Sequence, residues 1–316
     1  MRIASLLPSA TEIIDALGAG DDLVCVTHKC PQREDAPRPV VTSDPFAESP
    51  YAPKEIAVFL RMFAPHLSQG AIVVDEEKLA AYAPEVVFVQ GSCDVCAPSG
   101  TQAPAGEARL GDSARVITLQ PHSLGEVLAD IRRIGQAIGR AREAEKLLAG
   151  LRKRMMRVMR AASAAARQRR QRVVLLEWVD PPMAGGLWLP ELIEAAGGLP
   201  ALGAHQVPAV QTPWRDIVAA RPEVLLISLA SFPVDWTAGE LRLLRRRPEW
   251  PDLPAVASGN VYVLDGQRFF HAPVPRIIDS LELLASILHP DTFGPPAHPA
   301  AVRHLAEREP APAPSA

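Results

Sequence analysis

Two stretches of the chain repeat one pattern of apolar and polar positions. The first is LAAYAPEVVFV at 79–89, and the second, 138 residues later, is IVAARPEVLLI at 217–227. Each copy predicts the end of a helix, a Pro-Glu corner and then a buried apolar strand. A helix that leads into a fully apolar strand is typical of a parallel sheet covered on both faces. The repeat therefore predicts an α/β protein of two similar lobes with mainly parallel sheets.

The rest of the pattern predicts further elements around each copy. In the first half, strands are expected at 3–7, 23–27, 86–90 and 116–119, and helices at 11–17, 54–64, 76–82 and 124–138. In the second half, strands are expected at 173–177 and 261–264, helices at 189–196 and 275–288, and the repeated helix and strand at 215–228. Two capping-box patterns, Ser9 with Glu12 and Ser123 with Glu126, mark helix starts.

A long amphipathic helix is predicted between the two copies, at 141–167. Its apolar residues fall at spacings of three and four, at Leu148, Leu151, Met155, Val158 and Ala162. The predicted organisation is a first lobe at 1–139, a connecting helix at 140–170, a second lobe at 171–290 and a disordered Pro/Ala-rich tail at 291–316 with at most a short helix near 300–308. We expect a ligand in the cleft between the two lobes.

The composition is that of a soluble globular protein. The chain has 316 residues, 48% apolar and 22% charged, with a net charge of −3. No apolar run reaches the roughly 18–20 residues of a transmembrane helix. Because the first predicted strand begins at the start of the sequence with no signal peptide before it, we expect a cytoplasmic protein, or a periplasmic one if the start is misassigned. We also expect a monomer.

Basic residues concentrate on the second part of the long helix. Residues 151–172 contain nine Arg or Lys and no acidic residue. Such a segment could contact nucleic acid or anionic lipid, or it could be the solvated face of an amphipathic helix. The solvated face is favoured because no aromatic residues are interleaved for base stacking, so no nucleic-acid partner is expected.

Candidate ligand-binding residues lie just after the predicted strands. Ligands of open α/β sheets bind beyond the carboxyl ends of the strands. Aromatic residues make up only 5% of the chain, yet they gather there, which suits a flat apolar ligand. The candidates are Ser9, His28, Cys30, Asp94, Trp178, Asp180, Trp188, Phe232, Phe269, Phe270 and His271.

A metal site is an alternative use of the first-half loops. Cys93-x-x-Cys96 together with His28 and Cys30 would supply ligands for zinc or an iron–sulfur cluster. These thiols could also be redox-active, could pair in an oxidising compartment, or could simply pack. The chain contains no P-loop, G-x-G-x-x-G, G-x-S-x-G or H-E-x-x-H motif, so the sequence favours binding over catalysis and predicts no enzyme.

Four segments carry a resemblance to a known family. They are RIASLLPSATEIIDALGAGDDLVCVTHKCPQ, VFVQGSCDVCAPS, VLLEWVDPPMAGGLWLPELIEAAGG and NVYVLDGQRFFHAPVPRIIDSLELLASILHP. They resemble the cobalamin-binding branch of the class III solute-binding proteins, the receptors of ABC importers for cobalamin, ferric siderophores and haem. The resemblance spans about residues 1–290.

The resemblance implies a fold, a ligand and a partner. The fold would be two α/β lobes joined by one rigid helix, and the ligand would be cobalamin, a related corrinoid or another metal chelate. An ABC permease would dock to surface acids, with Asp216 as the candidate in the second lobe and Glu107 in the first. The alternative function is a cytosolic zinc, iron–sulfur or redox protein that uses His28, Cys30, Cys93 and Cys96.

Overall fold

The computed structural model describes residues 1–44, 72–91, 114–167 and 169–305. The predicted helix at 54–64 and the candidates Cys93, Asp94, Cys96 and Glu107 lie outside these ranges. The chain divides into two compact units, Met1–Pro121 with Leu128–Ala149 and His122–Val127 with Gly150–Ala316. No helix in the described ranges is both long enough and apolar enough to cross a bilayer.

The first unit is built on a parallel sheet. Its described strands are β1 (Ile3–Ser5), β2 (Leu23–Val26), β3 (Thr42–Ser43), β4 (Val73–Val74), β5 (Val86–Gln90) and β6 (Arg115–Leu119). Its described helices are α1 (Pro8–Ala16) and α2 (Glu76–Ala81), followed by α3 (Leu124–Ala137) and α4 (Ala141–Ala165), which also contribute residues to the second unit. The main sheet has the order β2-β1-β5-β6 with all pairs parallel. Its central strands are apolar and buried, as the pattern predicts.

The second unit repeats this order with additional antiparallel strands. Its strands are β7 (Arg172–Val179), β8 (Pro182–Ala184), β9 (Leu199–Pro200), β10 (Val210–Gln211), β11 (Val224–Ile227), β12 (Val261–Leu264) and β13 (Val302–His304). Its helices are α5 (Leu189–Ala195), α6 (Trp214–Ala220), α7 (Val234–Arg245), α8 (Pro254–Ala257), α9 (Ile277–Leu288) and α10 (Pro290–Phe293). The parallel order β9-β7-β11-β12 matches β2-β1-β5-β6, which confirms the prediction of two similar α/β lobes.

The Pro-Glu corners of the repeat make the same contacts in both units. Glu85 Oε2 accepts a hydrogen bond from Arg2 N at 2.7 Å, and Glu223 Oε2 accepts one from Arg172 N at 3.0 Å. In each copy the residue before the proline has a positive φ, 41° at Ala83 and 46° at Arg221. The repeated glutamate thus satisfies the backbone at the start of the central strand of each sheet.

The long helix forms as predicted. Leu148, Leu151, Val158 and Ala162 of α4 are buried, and Met155 is partly buried. This confirms the amphipathic stripe.

Two local predictions are wrong. Helix α1 starts at Pro8 with Leu7 as its N-cap and has no side-chain cap, so Ser9 and Glu12 form no capping box there. The cause is proline, whose fixed φ favours the first helical position. In the predicted disordered tail, α10 and β13 are ordered, because β13 pairs antiparallel with β12.

Candidate functional site

The carboxyl edge of the first sheet carries a cluster of hydroxyl and thiol groups. Thr11 Oγ1 lies 2.8 Å from Ser5 Oγ and 3.0 Å from Cys30 Sγ. Thr27 Oγ1 lies 3.2 Å from the same sulfur. All four side chains are buried. Burial raises the pKa of the Cys30 thiol, although hydrogen bonds from Thr11 and Thr27 act in the opposite direction. In this structure Cys30 is therefore a protonated thiol that packs against hydroxyls.

His28 lies beside this cluster, directly after β2. Its Nδ1 is 2.8 Å from Thr42 Oγ1, and the same oxygen accepts its backbone N–H at 3.0 Å. The Nε2 atom is shielded from solvent and has no hydrogen-bond partner among the residues that the structure describes. Burial, followed by the charge of Lys29, lowers the pKa of the imidazole. His28 is thus neutral at pH 7, the form in which an imidazole nitrogen can contact a metal or accept a hydrogen bond.

The remaining first-unit candidates are less accessible or untested. Ser9 is buried in the first turn of α1. Among the described residues, no group of three His, Cys, Asp or Glu side chains could hold a metal ion. The predicted zinc or iron–sulfur site also requires Cys93 and Cys96, and it stays a prediction.

The carboxyl edge of the second sheet presents an aromatic cluster of Trp178, Phe232 and Trp236. Trp178 is at the end of β7, Phe232 follows β11, and Trp236 is in the first turn of α7. The Phe232 and Trp236 rings are stacked with centroids 3.8 Å apart, and Trp178 is tilted against Phe232 at 5.9 Å. Trp178 is buried, whereas Phe232 and Trp236 are partly exposed. The stacked pair of partly exposed rings thus contacts the buried ring of Trp178 through Phe232.

Backbone contacts between two loops fix the position of Phe232. Gly266, in the loop after β12, donates from its N–H to Phe232 O at 3.0 Å, and its own carbonyl accepts from Ser231 N at 3.1 Å. A Cβ atom at Gly266 would lie 2.1 Å from Leu229 O. Only glycine permits this close approach of the two backbones, so the loops after β11 and β12 contact each other at Gly266.

Other predicted ligand contacts of the second unit are interior in this structure. Trp188, Phe269 and Phe270 are 5%, 4% and 1% exposed. Trp188 Nε1 donates to Phe270 O at 2.7 Å, and Ser280 Oγ accepts a hydrogen bond from Phe270 N at 3.0 Å. These contacts fix the loop after β12, and direct contact of the three rings with a ligand stays a prediction.

His271 and Asp180 lie at the same edge. His271 Nε2 is 2.8 Å from Ser228 O, and since a carbonyl only accepts, Nε2 carries the proton. Ser228, which sequence reasoning did not select, directly follows β11 and is fully buried. The Asp180 carbonyl accepts from Trp178 Nε1 at 2.9 Å, so Asp180 positions the buried ring of the aromatic cluster. Asp216, the predicted docking acid, is exposed on α6 beside Arg215.

Comparison with known proteins gives a family and several relatives. A family model described as a periplasmic binding protein matches residues 3–268. The uncharacterized ABC transporter substrate-binding lipoprotein YvrC of Bacillus subtilis is 24% identical over 297 residues, 92% of this chain and 81% of the relative. The vitamin B12-binding protein of Vibrio cholerae is 24% identical over 292 residues, 91% of this chain and 88% of the relative.

A solved structure has the same fold. A periplasmic heme-binding protein from Pseudomonas aeruginosa superposes with a TM-score of 0.64 at 19% identity, covering 98% of this chain and 99% of that chain. At this identity the likeness concerns the fold alone.

These relatives contradict the expected cytoplasmic location. The family is described as periplasmic and the Bacillus subtilis relative is a lipoprotein, so they indicate an extracytoplasmic location. Since the family match covers residues 3–268, the chain belongs to the periplasmic binding protein family, a family of solute-binding proteins.

Proposed function

We propose that this protein is the substrate-binding component of an ABC-type importer and that its ligand is cobalamin or a related corrinoid. The aromatic cluster of Trp178, Phe232 and Trp236 is the structural observation that carries the proposal. It presents two stacked, partly exposed rings at the carboxyl edge of a parallel sheet, the edge at which open α/β sheets bind ligands. Such rings suit a large ligand with extended apolar surface.

The relatives support a corrinoid over haem. The vitamin B12-binding relative matches by sequence over nine tenths of this chain, whereas the heme-binding protein cited above is similar at the level of fold. The four segments that resemble the cobalamin-binding branch include the strand end at Trp178 and the loop of Gly266. We propose the predicted site residues outside the interior, namely His28, Asp180, Phe232 and His271, as further ligand contacts.

The alternative function as a cytosolic zinc, iron–sulfur or redox protein is not favoured. The family and the relatives are solute-binding and extracytoplasmic. In the described part of the chain, Cys30 is buried among hydroxyl groups that already contact its sulfur. A thiol with a raised pKa is a weaker metal ligand, because the thiolate is the binding form.

Substitution of the exposed rings tests the proposed site. Phe232→Ala and Trp236→Ala should each weaken cyanocobalamin binding about tenfold, because each removes an aromatic contact of about 1 kcal/mol together with its apolar area. Equilibrium dialysis followed by visible absorption measures the affinity. Tyr262→Ala is the matched control, since it removes another ring, stacked on His304 at 4.5 Å, on a different part of the unit.

The control distinguishes the loss of a ligand contact from a general loss of folded structure. Tyr262→Ala should leave the affinity unchanged, and circular dichroism should show the same fold in all three variants. If Phe232→Ala and Trp236→Ala bind cyanocobalamin as tightly as the wild type, the aromatic cluster is not the binding surface.

A further inference from the structure

The basic residues at 151–172 separate into two groups with different surroundings. Five of the nine make contacts within the second unit: Arg154 and Arg157 pair with Glu282, Arg169 and Arg172 pair with Glu223, and Arg170 donates to Glu194 O. Arg154 also pairs with Asp279. These five stabilise the packing of the unit and explain only part of the charge bias.

The other four cations are Arg152, Lys153, Arg160 and Arg167. All are exposed, and they make no ion pair or hydrogen bond with any residue of the described ranges. At 100° per residue Arg152, Lys153 and Arg160 lie on the face of α4 opposite the buried Leu151, Val158 and Ala162, and Arg167 follows two residues after the end of the helix. Their charges are therefore available to a partner.

Two methionines lie between these cations on the same face. Met156 and Met159 are 48% and 43% exposed, although both are large apolar side chains. Side chains at 152, 156 and 160 follow one another at helical spacing, so the apolar and cationic groups are interleaved. We call Arg152, Lys153, Met156, Met159, Arg160 and Arg167 the basic stripe.

We propose that the basic stripe docks the protein on an anionic phospholipid bilayer. Cations beside flexible apolar side chains are the composition of a helix face that lies in a membrane interface, where charges meet lipid headgroups and apolar groups enter the acyl boundary. Segment 151–172 includes nine of the chain's 33 basic residues and none of its 36 acidic residues. The rest of the chain is therefore net acidic, and an anionic bilayer would repel it. The absence of aromatic residues in the segment disfavours nucleic acid.

This docking does not depend on the identity of the imported ligand. It would keep the receptor at the membrane that carries an importer, and the relative in Bacillus subtilis is itself a lipoprotein. Each Lys or Arg near an anionic surface strengthens partition about fivefold. Removal of four should therefore weaken binding by about six-hundredfold.

Vesicle flotation of the full chain tests the proposal. The vesicles contain equal parts phosphatidylglycerol and phosphatidylcholine, with pure phosphatidylcholine vesicles as the neutral reference. The wild type should float with the anionic vesicles only, and increasing salt should release it. The variant Arg152→Gln/Lys153→Gln/Arg160→Gln/Arg167→Gln should lose this binding.

Two further variants make the outcome decisive. The control Arg2→Gln/Arg115→Gln/Arg221→Gln/Arg246→Gln removes four exposed cations elsewhere, so that both variants have the same net charge. It should retain most of the binding, whereas Met156→Ser/Met159→Ser should weaken it at unchanged charge. The proposal is overturned if the wild type does not float with anionic vesicles, or if the control loses as much vesicle binding as the stripe variant. It is also overturned if the wild type binds duplex DNA as tightly as it binds anionic vesicles and the methionine variant binds vesicles like the wild type.

Discussion

The hydroxyl of Thr11 contacts three buried groups at the carboxyl edge of the first sheet. Its hydroxyl lies within hydrogen-bond distance of Ser5 Oγ, Cys30 Sγ and, at 3.5 Å, Leu7 O. All of these groups are shielded from water. When a buried polar group loses its hydrogen-bond partner, the free energy of unfolding decreases, because water cannot replace the lost hydrogen bond. Thr11 therefore stabilises the turn from β1 into α1 and the loop of Cys30 together.

Thr11→Val should reduce the free energy of unfolding by about 1–3 kcal/mol. Valine has nearly the same shape but lacks the hydroxyl, so Ser5 and Cys30 would lose a partner. Urea unfolding followed by circular dichroism gives the value. Thr118→Val is the control, because Thr118 is exposed on β6, and its change should stay within about 0.5 kcal/mol. Equal stability of Thr11→Val and the wild type would show that the hydroxyl cluster is energetically unimportant.

His28 should make the stability of the protein fall on mild acidification. Burial lowers the pKa of His28 in the folded state below the usual value of about 6.5 in the unfolded chain. The unfolded state therefore binds the proton first, so the contribution is fully present above pH 6.5 and is lost as the pH falls toward the folded-state pKa. His28→Gln should flatten this slope in urea-unfolding measurements made from pH 7.5 to 5. An unchanged slope would show that His28 is not the titrating group.

At the scale of elements, the Pro-Glu corner is the shared structural unit of the two sheets. The glutamate accepts a backbone hydrogen bond from Arg2, just before β1, or from Arg172, at the start of β7, and the residue before the proline has a left-handed backbone. A non-glycine residue with positive φ is strained, and the following proline restricts it further. The corner is thus conformationally costly in both units, and the buried strand that follows offsets the cost.

Ala83→Gly should stabilise the protein by about 0.5–1 kcal/mol, because glycine adopts the φ of 41° without the strain of a Cβ. Ala80→Gly, three residues earlier within α2, should instead destabilise it by about 1 kcal/mol. Thermal unfolding of the two variants under one condition compares them. If both variants are destabilised to the same extent, the backbone at Ala83 is not strained.

Most helices and strands of this fold can be predicted from local sequence patterns. Where the structure differs from the prediction at β13, the cause is a contact with a distant segment. Strands β5 and β12 match their predicted bounds to the residue, because each is a short apolar run with polar flanks. Strand β13 escaped prediction because its order comes from pairing with β12, some forty residues earlier in the chain, and not from its own composition. The start of α1 could have been found from Pro8, which marks a first helical position.

The candidate site was predictable as a set of strand ends, but not ring by ring. Trp178, Phe232 and Phe270 all follow or end buried strands, so the sequence places them at one edge. Their exposure depends on neighbours from distant segments. Phe270 is covered where Trp188 and Ser280 contact its backbone, whereas Phe232 contacts Trp178 and stays partly exposed. These differences in ring exposure can be seen only in the folded unit, where the distant segments pack together.

At the scale of the whole molecule, two units with the same strand order carry different chemistry. The first offers hydroxyl groups, a buried thiol and a neutral histidine, and the second offers aromatic rings. The repeated scaffold explains the fold, and the unequal strand ends carry the proposed recognition of a large chelate. Membership of the periplasmic binding protein family agrees with binding as the activity.

Ligand-induced stabilisation of the purified protein tests the central claim most directly. Thermal unfolding is recorded alone and with cyanocobalamin, haem or a ferric siderophore, each at the same concentration. A ligand present at about one hundred times its Kd adds about 2.7 kcal/mol to the free energy of unfolding, which raises Tm by several degrees. We expect cyanocobalamin to give the largest increase in Tm. A melting curve that cyanocobalamin leaves unmoved would contradict the proposed ligand, and one that none of the three ligands moves would contradict the proposed function.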